Sequence, residues 1–178
     1  RAKHGKLCIG RWSEAHSMSD NLGSALDFGV RIPLVELLGM TLHHMAQGES
    51  EMRYEAQEEH LNSFGVTHGG ALMTLLDVTM ATAARSETPQ LGVVTVEMKT
   101  SFMRPASGPL RALGKVVHRT PTMAFTEARV FDAQGQVCSH ATGTFKYVRR
   151  LPGTGRALHG LQRSSAPHEE PILPGSGT

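Results

Sequence analysis

Residues 71–84 read ALMTLLDVTMATAA, with no glycine, proline or basic side chain and with apolar residues on every face of a 3.6-residue wheel. Ala, Leu and Met favour the helix on their own account, so this stretch predicts a helix buried all round. Asp77 is the exception. An ionised carboxylate in apolar surroundings costs several kcal/mol unless it is paired, hydrogen-bonded or near water, so something has to compensate for it.

The start of that helix offers complementary chemistry. Thr67, His68, Gly69 and Gly70 stand where the first backbone N–H groups lack partners inside the helix, and the positive end of the dipole suits a developing negative charge. Glycines lack a β-carbon, which lets a ligand atom approach the main chain. The competing reading is that Thr67 or Asn62 caps the helix and the glycines serve a turn. Spacing adds a constraint: Gly69 and Asp77 are eight residues apart, about 12 Å along a helix. A nucleophile and an oxyanion donor acting on one carbonyl each lie about 3 Å from the reacting centre. One copy of the helix cannot do both jobs, whereas an antiparallel second copy brings its Asp77 beside the first copy's Gly69. A site shared between subunits of a twofold dimer is therefore expected.

Taken in order, Asn62, His68-Gly69-Gly70, Asp77 and the strand VVTVEMKTSFMRPASG at 93–108 resemble the hotdog-fold acyl-CoA thioesterases of the phenylacetyl-CoA thioesterase (PaaI-like) family. The resemblance covers about residues 34–148. It implies an α+β hotdog fold, an antiparallel sheet wrapped around a central helix, acting as a homo-oligomer that is a dimer or a dimer of dimers. It implies hydrolysis of acyl-CoA to free acid and CoA, with no metal or organic cofactor. Aryl or phenylacetyl-type and medium-chain acyl groups both suit it. Asp77 is then the base or nucleophile and the Gly69 amide the oxyanion donor. The resemblance makes Asn62 an amide that holds water or thioester, with an Asx turn as the alternative. It makes Thr95 a hydroxyl that positions the water, although a strand threonine needs no function.

His68 suits a backbone-orienting or substrate-facing role better than that of general base, and Gly70 is placed with it against the substrate. Met73, Leu76, Met80, Phe102 and Met103 are candidates for an acyl pocket, with core packing as the competing account. Arg104, Arg119, Lys146, Arg149 and Arg150 are candidates to meet coenzyme A phosphates, with solubility as theirs. The turn Arg119-Thr120-Pro121 departs from the glycine the family often carries there.

The composition leaves room for this reading. The 178 residues suit one domain. A net charge of +2, without an Arg/Lys block or zinc-finger spacing, does not suggest nucleic-acid binding. Cys8 and Cys138 form no disulfide framework, which points to a reducing compartment. No apolar run reaches the roughly 18 residues of a membrane span, so a cytoplasmic protein is expected. His43 and His44 point to opposite faces of a strand and the other histidines do not cluster, so no metal site is expected. No Gly-x-Ser-x-Gly elbow supports a serine triad.

Along the chain, residues 1–17 are expected to be a flexible extension, 18–150 the domain and 151–178 a disordered tail rich in Pro, Gly, Ser and Arg. Residues 34–38 predict a short helix closed by Gly39. Residues 40–46 and 51–57 predict a hairpin around Gln47-Gly48 whose acidic side chains are solvated. Strands are expected at 92–103, 110–118, 123–131 and 136–148, as a meander. Two other functions fit such a fold: an acyl-CoA-binding regulator without turnover, and a hydratase, which pairs a histidine with an acid in a motif absent here.

Overall fold

The computed structural model describes residues 24–149. The expectations for 1–17 and 151–178, and those attached to Cys8 and Arg150, lie outside the described residues. Within them, a short helix α1 (Pro33–Leu37) precedes the hairpin β1 (Thr41–Ala46) and β2 (Glu49–Glu55). Then follow the long helix α2 (Gly69–Ser86) and the strands β3 (Gly92–Phe102), β4 (Pro109–Arg119), β5 (Met123–Phe131) and β6 (Val137–Val148). All six strands form one antiparallel sheet, and α2 touches every one of them. The α+β architecture is the one expected: a sheet around a single long helix.

Strand order corrects one expectation. The sheet runs β1-β2-β4-β5-β6-β3, so only β4, β5 and β6 form a meander, while β3 pairs with β6 at the far edge. The chain crosses from β2 to that edge along α2, and the 103–108 connection brings it back beside β2. Local periodicity announces each strand but says nothing about which neighbour it takes.

Period-2 alternation sorts the two faces as anticipated. Inward positions such as Leu42, Met52, Leu110, Ala124, Ala128, Ala141 and Phe145 are buried against the helix. Outward charges pair along the surface: Glu51 with Arg53 and Arg111, Glu127 with Lys115 and His140. In β3 the alternation breaks, because Val96 is an extra residue between Thr95, opposite Phe145, and Glu97, opposite Thr144. Val93 and Thr95 therefore share the inner face with Met98, Thr100 and Phe102.

The inner face is lined at its centre by small residues, which lets α2 come close. At Gly114 a β-carbon would stand 2.9 Å from Thr79 Cγ2 and 3.0 Å from both Ser50 Oγ and the Thr79 carbonyl oxygen. Ser50 Oγ donates to that same carbonyl at 2.6 Å, so strand and helix meet through a hydrogen bond as well as by contact. The helix itself is longer than its apolar run and is not buried all round. Leu72, Leu75, Leu76, Thr79, Met80 and Ala83 are buried, while Gly70, Met73, Thr74, Asp77, Val78 and Ala81 form a stripe left partly or wholly open. The sequence places apolar side chains on both faces; a single copy of the chain covers one. Among the described residues no helix is long and apolar enough to cross a membrane.

Candidate active site

Asp77 lies on the open stripe of α2, facing the inner surface of β3. Thr95 Oγ1 donates to Asp77 Oδ1 at 2.8 Å. The bulge at the next residue, Val96, resets the strand just past Thr95. Burial pushes the Asp77 carboxyl above the ordinary carboxylate range, and the Thr95 hydroxyl, which favours the ionised form, pulls it part of the way back. Two residues proposed from the sequence thus stand in direct contact.

The helix start is built by a tight hairpin turn. Asn62 N donates to the Val66 carbonyl and Gly65 N to the Asn62 carbonyl, both at 2.9 Å, and Leu61 bridges Thr67. The Asn62 side-chain oxygen accepts from Phe64 N at 2.9 Å and Val66 N at 3.4 Å. The Asx-turn alternative therefore describes the oxygen, and the NH2 is the group Asn62 can still offer. His68 is the N-cap of α2: its backbone N donates to the His60 carbonyl, and its Nδ1 accepts from Gly70 N at 2.9 Å. That contact ties the imidazole to the backbone of the helix start. Gly70, placed against substrate from the sequence, has its N–H engaged by the imidazole. The Gly69 N–H is left at the positive end of the helix.

Other candidates separate clearly. Leu76 and Met80 are fully buried and belong to the core, whereas Met73, Phe102 and Met103 are 41%, 52% and 51% exposed. Phe102 lies against Gly69, and Met73 lies on the stripe midway between Gly69 and Asp77. Arg104 Nη1 donates to the Val137 carbonyl at 3.0 Å, and Arg119 pairs with Glu87 at 3.3 Å, so both cations already have partners. The turn after Arg119 needs no glycine, because Thr120 Oγ1 accepts from Thr122 N and Met123 N. Among the described residues no group of three or more His, Cys, Asp or Glu could hold a metal ion. Sequence reading passed over Val96 and Phe64, the latter 87% exposed on the pinned turn. An aromatic inside an Asn-to-Gly turn was the available signal for Phe64; the alternation carries none for a bulge.

A single long helix held by one antiparallel sheet, with an acid on the helix and a glycine-marked helix start, is the architecture of the hotdog fold. Residues 64–139 match the model of the thioesterase superfamily. A Pseudomonas aeruginosa protein with a provisional esterase name is 34% identical over 117 residues, covering 64% of this chain and 87% of that one. A solved structure of a conserved protein from the same organism superposes with a TM-score of 0.65 at 30% identity, over 67% of this chain and 97% of that chain. A structure of a variant of the phenylacetic acid degradation protein PaaI from Thermus thermophilus gives a TM-score of 0.60 at 27% identity, over 65% and 98%. The chain belongs to the thioesterase superfamily, as its resemblance to PaaI-like proteins implied, and is a hydrolase of ester or thioester bonds.

Proposed function

We propose that this protein hydrolyses acyl-CoA thioesters to free acid and CoA at a site completed by a second copy of the chain, with aryl or phenylacetyl-type and medium-chain acyl groups as the substrates to try first. The observation that carries the reading is Asp77, an acid with a raised proton affinity, hydrogen-bonded to Thr95 on an edge strand that no described segment pairs on its outer side. Within one protomer the Gly69 amide is about 12 Å further along the helix. The open edge supplies a way to bring the two groups together. Gly69 touches Phe102 near one end of β3 and Asp77 is bonded to Thr95 nearer the other. Antiparallel pairing of β3 with its copy, centred on Lys99 and with Val96 bulged out of register, sets Thr95 opposite the copy's Phe102 on the same face. The same operation centres the helices on residue 73 and sets Asp77 beside the copy's Gly69. Strand and helix call for one twofold axis.

In that site Asp77 takes a proton from water, and the water oxygen attacks the thioester carbonyl carbon. The resulting oxyanion accepts the Gly69 N–H, a donor whose loss typically costs about 2.7–4 kcal/mol in the barrier. Collapse expels the CoA thiolate, which takes the proton back from Asp77. Thr95 holds the carboxylate in line, the Asn62 NH2 is the donor for the water or thioester, and His68 fixes the helix start. Direct attack by Asp77 through an anhydride is the alternative route.

A panel of acyl-CoA substrates assayed for thiol release tests the reading. Asp77→Ala and Asp77→Asn are expected to lower kcat by about 10²- to 10⁴-fold. Saturable binding of CoA esters without thiol release would instead favour a regulator, and hydration of a double bond a hydratase. After one turnover in labelled water, label in the Asp77 carboxylate would show attack through the anhydride.

A further inference from the structure

Phe102 stands at the helix start in a way that the core does not require. It is 52% exposed although it points to the inner face of the sheet, opposite the fully buried Ser139. Its ring tip lies against Gly69: Cζ, Cε1 and Cε2 are 3.4, 3.6 and 3.9 Å from where a β-carbon on Gly69 would stand. The backbone just after it is pinned, because Met103 N and Arg104 N both donate to the Cys138 carbonyl, at 2.8 and 3.1 Å, and Arg104 Nη1 donates to the Val137 carbonyl. These bonds hold the strand end that carries the ring beside the helix start.

We infer that Phe102 is a specificity-determining residue that selects acyl groups at the carbon next to the thioester carbonyl, admitting an unbranched α-carbon and rejecting an α-substituted one. The inference rests on the acyl-CoA hydrolysis proposed above. A carbonyl oxygen that accepts the Gly69 N–H lies beside this ring, so one of the two carbonyl substituents must run along it. The CoA side is polar and has to leave toward solvent, whereas the inner face of the sheet is the apolar side. The acyl group therefore takes the Phe102 side. Its α-carbon is held between the ring, the Gly69 backbone and the carboxylate that approaches from the copy. A CH2 group fits such a slot edge-on, and an added methyl meets the ring or the attacking group.

The test compares kcat/KM for phenylacetyl-CoA with that for 2-phenylpropanoyl-CoA, and for hexanoyl-CoA with 2-methylhexanoyl-CoA, in the full-length protein. The wild type is expected to prefer each unbranched partner by about ten-fold or more, the scale on which one methyl group is discriminated in a fitted pocket. Phe102→Ala is expected to bring that ratio close to one by raising turnover of the branched ester. Phe102→Leu keeps an apolar side chain on the strand and carries the test in a folded protein, with an intermediate ratio expected. Variants that release thiol with the wild-type ratio, or that slow both esters equally, overturn the role assigned to Phe102 and leave the hydrolase reading standing. Absence of thiol release from every CoA ester by the wild type overturns both.

Discussion

The two edges of the sheet are built on opposite plans. Both edges bulge, β1 between Leu42 and His44 and β3 at Val96, but the β1 edge strand is only six residues long and is capped by a bridge in which Leu26 N donates to the Leu42 carbonyl at 2.7 Å. Short length and a cover are devices that keep an edge from recruiting another strand. At β3 the edge strand has eleven residues, no described segment pairs with its outer side, and Val96 is 57% exposed. The difference tracks the chemistry, since Asp77 and Gly69 both lie against β3. An edge that no described segment covers, beside the candidate acid, is where the proposed copy would pair, and the blunted edge on the other side would keep that association from running on into a filament.

Placing one lysine on each edge breaks the comparison most directly. Val96→Lys sets a charge on an exposed, bulged residue of β3, and its expected result is a protomer-sized species in sedimentation with thiol release down by about 100-fold or more, the size of effect that follows when a catalytic group is removed from its partner. His44→Lys does the same to β1 and is expected to change neither sedimentation nor turnover. Equal behaviour of the two variants would remove the reason for assigning the site to the β3 edge.

The centre of the sheet provides the contrast to both edges. Gly114→Ala drives a β-carbon into Thr79 and Ser50, of which one contact is a backbone oxygen that cannot swing away. Overpacking of this kind costs about 1–3 kcal/mol, to be read from equilibrium unfolding in urea. Thr95→Val acts on a smaller scale, at the edge again. It removes the donor to Asp77, so the carboxyl is held less far down and the acid limb of the kcat/KM profile moves to higher pH, with an accompanying loss of about ten-fold from one hydrogen bond to a charged group. An acid limb that stays in place would mean that Thr95 does not hold Asp77 in the working enzyme.

How much of this was legible beforehand depended on whether a feature is local. The apolar run at 71–84, the turn residues at Gln47-Gly48 and the alternation in β4 and β5 are decided within a few residues, and the helix and strands fall where those signals put them. The lone acid Asp77 identified itself by being out of place in that run. What could not be read was set by contacts distant in sequence. The position of β3 beside β6 depends on the path of the crossing, and the Val96 bulge shifts the inward set from 93 and 95 to 98, 100 and 102. Leu76 and Phe102 look equally fit for a pocket as residue types, yet one is sealed under the sheet and the other stands half open at the helix start. The double use of His68, as cap and as the residue that engages the Gly70 N–H, is a matter of rotamer rather than of spacing.

The smallest expected effect bears on why the β3 edge is open at all. Burial raises the Asp77 carboxyl above its ordinary proton affinity, so the folded protein holds that proton more tightly than the unfolded chain does. For an acid shifted in this direction, the contribution to stability is fully present below the unfolded pKa and is lost as pH rises through the folded one. At neutral pH the ionised Asp77 therefore costs stability, and Asp77→Asn, which keeps the shape and removes the charge, is expected to melt a few degrees higher than the wild type. The gap should close in acid, below the ordinary carboxylate range, where both side chains are neutral. A wild type that melts higher than Asp77→Asn at neutral pH would show instead that the carboxylate is already stabilised by its surroundings, and the candidate acid would then be a structural one. The expected sign would sharpen the contrast between the edges: β3 would border a charge that the fold tolerates for the proposed chemistry, and β1 borders none of the candidate residues.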